Sequence, residues 1–324
     1  MKMTSLKAVA VAGLSVLLTG TAAAQTQAAS TPVGFYTETI RPGFNVVGIN
    51  LANPVLATGT VTGVNAAVIS DTNGNFAALN DANATYFVET STGTIAEVAS
   101  VSGTDITLTA AAGLAVGDQF SVRAGKTLEE IFGTSLASGP NAGAADVVYV
   151  PTGEAGQFDQ YFSSSLQGGA FRNATAAFVP LSKPVAVLFS DALLVERRGA
   201  DPVDVVVTGS VKTTPTAVSL PTGFYPVTVA AVAGATLQNS GLASSLTAGP
   251  NAGAADVVYV PGATPGTFTQ YFPSSLENPP AFRNATSAFV PLTGDVDLGS
   301  AVLIERRGAS TTATFQLPSF YSSL

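Results

Sequence analysis

The sequence predicts an all-β protein: two tandem sandwich- or barrel-like modules, a small β domain inserted in the first, and one short helix. Three observations carry this expectation. Short runs rich in β-branched and aromatic residues recur throughout, bounded by Gly, Pro, Asn or Ser, which is how strands punctuate a sequence. The thirteen residues 139–151, GPNAGAADVVYVP, return letter for letter at 249–261. A long stretch of the first copy has no counterpart in the second.

In chain order, residues 1–24 read as an export signal. Lys2 and Lys7 precede the apolar run 8–18, and Ala22, Ala23 and Ala24 supply the small residues that signal peptidase accepts, with cleavage between Ala24 and Gln25. The apolar run is too short to span a bilayer, and no later stretch is a transmembrane candidate. Residues 25–212 form the first module. Its opening Gly34-Phe35-Tyr36 matches Gly223-Phe224-Tyr225 at an offset of 189, against 110 for the long repeat, so about 79 residues are inserted at roughly 54–123. Within the insert, 58–64, 85–89, 94–101, 105–109 and 119–123 are expected strands, and Asn73-Gly74 signals a type I′ hairpin. Thr127 to Glu130 is a capping box, followed by Ile131, Phe132 and a stop at Gly133, which predicts a short helix.

Further on, 146–150, 186–189, 193–196 and 203–208 are expected strands of the first module. The repeat continues beyond its longest block. Phe158, Gln160, Tyr161 and Phe162 recur as Phe268, Gln270, Tyr271 and Phe272; 170–175 (AFRNAT) recurs as 281–286; 178–181 recurs as 289–292; and 196–200 (ERRGA) recurs as 305–309. Residues 213–324 are therefore the second module, with a C-terminal strand at 314–321 whose last residues echo 220–225.

Composition removes whole classes of chemistry. The chain has no Cys, His or Trp, and its two methionines, Met1 and Met3, fall in the export signal. Thiolate and imidazole metal sites, Ser-His-Asp and Cys-His nucleophiles and disulfides are excluded. Without Lys2 and Lys7 the charge balance is 11 basic to 21 acidic side chains, which disfavours nucleic acid and anionic membranes as partners. Charged residues are only 10% of the chain, where about a quarter is usual, so the surface must consist mostly of Thr, Ser, Gly, Ala and Asn.

The export signal, the GFY opening, the strand-rich insert ending in AGKTLEEIFG, the ADVVYVP strand, the QYF and FRNAT blocks and the closing ERRG together resemble a family of secreted, β-rich bacterial proteins. That family is seen mainly in Verrucomicrobia-type diderm bacteria and has no established activity. The resemblance implies location outside the cytoplasm, at the cell surface or beyond it, and carries over no catalytic residue.

Several motifs have a chemical and a plain reading. Gly125-Lys126-Thr127 lacks the glycine a phosphate loop needs, since Phe120 stands there, and reads as the helix cap. Asp71, Asn73 and Asn75 alternate as calcium ligands do, but the glycine comes at position four and Ala82 occupies position twelve, so a turn is the better reading and calcium a weak one. No other cofactor is expected. Asp71-Thr72 lacks the glycine of an aspartic-protease signature, because Asn73 follows. Asp146 or Asp256 with Glu196 or Glu305 could serve as a glycosidase pair, although these acids occur in both modules and one active site needs them once. Arg172, Glu196, Arg197 and Arg198 in one module match Arg283, Glu305, Arg306 and Arg307 in the other. They offer either a ligand or subunit contact, or Glu–Arg pairs that close neighbouring strands. Tyr161 and Tyr271 are sugar-facing or core. Asn173-Ala-Thr175 and Asn284-Ala-Thr286 match a glycosylation sequon but read better as parts of the repeat.

The function these features suggest is that of a secreted, non-enzymatic structural protein that associates with itself at the cell surface or in an extracellular filament, layer or matrix. Lysine usually guards sheet edges, and after signal removal only Lys126, Lys183 and Lys212 remain. One form of association would have the C-terminal strand occupy a neighbour's 33–39 position; otherwise that strand completes its own module. The alternative function is an adhesin or glycan-binding module, and the third is a carboxylate-based hydrolase.

Overall fold

The structure is a computed structural model and describes residues 32–175, 179–286 and 291–323. The expected export signal with Ala24 and Gln25 lies outside the described residues, as do Phe178 and Phe289 of the repeat. The chain is all-β, its sheets do not close into a barrel, and 31–324 form one compact unit. No helix among the described residues is long and apolar enough to cross a membrane.

The chain opens with β1 (Val33–Ile40), β2 (Gly43–Val47) and β3 (Leu51–Ala52). The insert follows as β4 (Val55–Thr60), β5 (Gly63–Asn65), β6 (Val68–Ser70), β7 (Tyr86–Thr90), β8 (Ile95–Ser102), β9 (Asp105–Leu108) and β10 (Gln119–Ala124). These make one antiparallel sheet in the order β4-β10-β7-β8-β9-β6-β5. The insert enters on β4 and leaves on β10, which pair with Val55 opposite Arg123, so it interrupts the host module at a single point. Its core is its own: Ile69, Phe76, Val88, Ile106, Phe120 and Val122 are buried together.

β11 (Lys126–Thr127) leads into α1 (Leu128–Phe132). The predicted capping box is present: Glu130 N–H donates to Thr127 Oγ1 at 3.1 Å and Thr127 N–H donates to Glu130 Oε2 at 2.8 Å. Gly133 then leaves the helix with φ +49°, a conformation that favours glycine. Leu128, Ile131 and Phe132 bury one face of the helix in the first core.

The first repeat continues with β12 (Val147–Pro151), β13 (Phe158–Ser163), β14 (Phe171–Asn173), β15 (Ala186–Val187), β16 (Leu193–Arg197) and β17 (Val203–Val211). The second consists of β18 (Thr216–Leu220), β19 (Gly223–Thr228), α2 (Leu242–Ser245), β20 (Val257–Pro261), β21 (Phe268–Ser274), β22 (Ala281–Asn284), β23 (Ala301–Arg306) and β24 (Thr311–Phe315). Two five-stranded sheets result, ordered β14-β13-β12-β16-β2 and β22-β21-β20-β23-β19. Each packs its inner face on a smaller sheet, β1-β17-β3 in one repeat and β18-β24 in the other. Alternation does the sorting along each strand. On β12 and β16, Val148 and Val195 enter the core, while Tyr149 and Glu196 face outward.

Four expectations are corrected. Phe44 pairs opposite Glu196 as Phe224 pairs opposite Glu305, so the strand equivalent to β19 is β2, and Gly43-Phe44, not Gly34-Phe35-Tyr36, matches Gly223-Phe224. The offset is then 180 and the insertion 70 residues, the length of the segment from β4 to β10. Asn73-Gly74 is no type I′ hairpin. Neither residue has positive φ, because Asp71 captures the Asn73 N–H on Oδ1 at 2.9 Å and the Thr60 N–H on Oδ2 at 2.9 Å, and Gly74 N–H closes on the Asp71 carbonyl. The C-terminal strand does complete its own module, pairing with β18, but it is β24 at Thr311–Phe315 and not 314–321, and Ser319–Ser323 is a 3₁₀ turn anchored by buried Tyr321. The expected strand at 186–189 is only two residues long.

Candidate functional site

The arginines that recur in the repeat converge on their own module. Asp146, fully buried at the start of β12, accepts Ala137 N–H on Oδ2 (2.7 Å), Arg198 N–H on Oδ1 (2.8 Å) and the Arg197 guanidinium. Asp256 does the same with Thr247 N–H (2.7 Å), Arg307 N–H (2.8 Å) and Arg306. Burying a carboxylate is unfavourable unless its oxygens are saturated and its charge is matched, and here both conditions are met twice. The second arginine of each pair lies on the outer surface, with Arg198 Nη2 at 3.0 Å from Glu196 Oε2 and Arg307 Nη2 at 3.1 Å from Glu305 Oε2. Hydrogen bonds from Arg198 hold the Glu196 carboxyl below the usual carboxylate range. Arg172 donates to Gln167 Oε1 (2.8 Å) and Arg283 to Glu277 Oε1 (2.9 Å). The repeated ion pairs thus lie within each repeat, but the ones that tie neighbouring strands together are Asp146–Arg197 and Asp256–Arg306, whereas Glu196–Arg198 and Glu305–Arg307 each sit at the end of a single strand.

An aromatic row crosses each outer face. Tyr149 donates to Glu196 Oε2 at 3.0 Å and lies 5.8 Å from Phe44 and 6.4 Å from Phe158, ring centre to ring centre. Tyr259 donates to Glu305 Oε2 at 2.7 Å and lies 5.5 Å from Phe224 and 6.2 Å from Phe268. Burial, then the bond to Glu305, pushes the Tyr259 hydroxyl up to about 12. Tyr161 and Tyr271 point the other way, into the two cores. Asp71 is buried by the turn it organises, with Asn73 and Asn75 exposed beside it, and the described residues hold no group of three or more acidic side chains placed to bind a metal.

The two repeats meet in a reciprocal arrangement. The β20–β21 turn lies against Gly43 on β2, where an added Cβ would stand 3.7 Å from Pro265. The β12–β13 turn lies against Gly223 on β19, where it would stand 3.0 Å from Ala155. Gly156 N–H also donates to the Phe224 carbonyl at 3.2 Å. The β2 edge and the β19 edge are therefore each met by a turn of the other repeat. At the centre, Thr228 Oγ1 accepts Ile49 N–H (3.1 Å) and donates to the Asp191 carbonyl (2.8 Å).

Two charged assemblies escaped the sequence reading. Where the insert meets its host, Glu89 accepts Lys212 at 2.6 Å, Thr214 at 2.7 Å and Arg123 at 3.3 Å, while Arg123 also donates to the Asn53 carbonyl at 2.9 Å. Lys212 and Lys126, two of the three lysines left after the expected signal is removed, are buried here, and burial lowers both ammonium groups from their usual range. The second assembly lines a cleft of about 670 Å³ between the insert and both repeats. Asp191, 8% exposed, accepts Ser190 Oγ at 3.2 Å and the Tyr225 hydroxyl. Burial pushes its carboxyl up to about 7, against the pull of those two hydrogen bonds. Asp191 occupies the position of Ser300 in the other repeat, and Tyr225 that of Asn45. Comparing the repeats position by position would have exposed the acid, since it occurs once.

No family model, curated protein or solved structure matches the chain.

Proposed function

We propose that this is an exported, non-enzymatic structural protein that associates with copies of itself, at the cell surface or in an extracellular filament, layer or matrix, through the outer edge of β1. The observation that carries the reading is that edge. β1 is eight residues long, ends its sheet, and holds neither Lys nor Pro. Among the described residues no strand pairs with its outer side. Val33 is 77% exposed and Phe35 73%, with exposed Val206 beside them on β17. A long edge strand that carries exposed apolar side chains and neither Lys nor Pro invites strand addition from another chain unless something covers it. The edges β2 and β19 are covered from within the chain, and of the remaining edge strands among the described residues β1 is the longest. The C-terminal strand is engaged with β18 and is not the donor in this proposal.

Burial of Tyr161 and Tyr271 takes from the glycan-binding alternative the rings it would stack on sugars. Complete burial of Asp146 and Asp256 likewise leaves no free carboxylate there for a hydrolase. The test is size exclusion and negative-stain imaging of the mature chain beside a Val33→Lys/Phe35→Lys variant. The wild type is expected to form fibres or lattices and the variant to remain monomeric while folded. A wild type that stays a monodisperse monomer at high concentration overturns the reading.

A further inference from the structure

Three aspartates are buried in the two repeats, and they differ in their partners and in their access to solvent. Asp146 and Asp256 each hold an arginine and two backbone N–H groups. Asp191 holds two hydroxyls, and no lysine or arginine among the described residues pairs with it. The module folds without this acid, since Ser300 stands in its place in the second repeat, so the fold does not require it. Asp191 also lies where a ligand could reach it, on the wall of a cleft, and not beneath a loop.

We propose that this cleft binds a primary ammonium group carried on an aliphatic body, with Asp191 as counter-ion. An ammonium has three donors and no acceptor. The Asp191 carboxylate, Ser190 Oγ and the Tyr225 hydroxyl provide three neighbouring oxygens, and Tyr225 adds an aromatic ring beside the charge. Phe87, Leu181, Val185 and Leu188 line the same cleft and suit a methylene chain. The other titratable groups facing it are Glu97, which adds to the attraction, Tyr161, and Lys183, whose ammonium is engaged with Thr85 Oγ1 at 3.1 Å. A divalent metal would need more carboxylate ligands than Asp191 alone supplies. The ammonium could come from a free alkyl diamine or from a lysine side chain of another polypeptide.

The test is calorimetric titration of the mature chain with cadaverine, and separately with a short capped peptide containing one lysine. Binding of either is expected at about pH 8, where Asp191 is ionised and the amine is still charged, and should weaken about tenfold by about pH 5.5. Asp191→Ser, which installs the residue of the second repeat, and Asp191→Asn are expected to lose about tenfold or more at the higher pH while melting as folded proteins. The tighter of the two probes identifies the source of the ammonium. Binding of neither probe, equal binding by wild type and both variants, or tighter binding at the lower pH overturns the proposal. These results are independent of whether β1 mediates assembly.

Discussion

The two repeats share one strand order and one set of buried ion pairs, yet several positions at their contact carry different residues. Asp146 and Asp256, Glu196 and Glu305, and the Phe-Tyr-Phe rows superpose in chemistry and partners. At the contact between repeats, Gly48 stands against Thr228, Asp191 against Ser300, and Asn45 against Tyr225. What closes a module is held twice, while at the centre of the contact between modules the paired positions differ. A reciprocal contact between two identical modules would place the same side chain on both sides of the axis. Here Thr228 Oγ1 fills the centre from one side by holding Ile49 N–H, while its counterpart Gly48 lies so close to the Ser300 backbone that no side chain fits there.

The largest expected effect tests the shared part. Asp146→Ala and Asp256→Ala each strand an arginine and two N–H donors in a buried site, and each should cost about 3–5 kcal/mol by denaturant unfolding. The two costs should be alike; a difference greater than about 2 kcal/mol would break the equivalence of the repeats. A somewhat smaller effect tests the part that differs. A Cβ on Gly48 would lie 1.8 Å from the Ser300 carbonyl oxygen, which is backbone and cannot step aside. Gly48→Ala should therefore cost about 3 kcal/mol, while Thr228→Ala, which loses two hydrogen bonds and opens space, should cost about half as much. Equal costs would mean that the contact is symmetric after all.

Much of this architecture was legible because the repeat carries it. Thirteen identical residues announce equivalent strands, and the capping box at Thr127 is local chemistry that needs no tertiary partner. Assigning the first strand failed for a physical reason. Gly34-Phe35 and Gly43-Phe44 both offer a Gly-Phe pair, and only the register against β16, with Phe44 packed on Tyr149, separates them. The echo at 317–321 misled in a similar way, since Pro318 donates no backbone hydrogen bond and the Tyr321 hydroxyl binds Ala233 across the module instead of joining a sheet. Contacts such as Glu89 with Lys212, or Asp191 with Tyr225, join residues far apart in sequence and belonging to different units. No spacing rule reaches them. The single occurrence of Asp191 was visible in the sequence, but its burial was not.

The effect at Asp191, smaller than that at Asp146 or Gly48, is the one whose sign identifies its cause. Burial raises the Asp191 carboxyl from its unfolded value near 3.8 to about 7, so between those values the folded chain binds a proton that the unfolded chain has released. Stability from this group is therefore complete below about pH 4, declines as pH rises, and is fully lost above about pH 7. Asp191→Asn removes the titration and keeps the shape. It should match the wild type near pH 4 and exceed it by roughly 2 kcal/mol at pH 8, less than the full shift would give because the cleft admits water. Glu38, also raised by burial, contributes a slope of the same sign in both proteins and cancels in the difference. Ser300→Asp, the converse change, places an acid where the second repeat has none and should introduce a new loss of stability at high pH. If the difference curve for Asp191→Asn is flat, Asp191 is already solvated or paired with a cation in solution, and the contrast with Asp146 and Asp256 disappears.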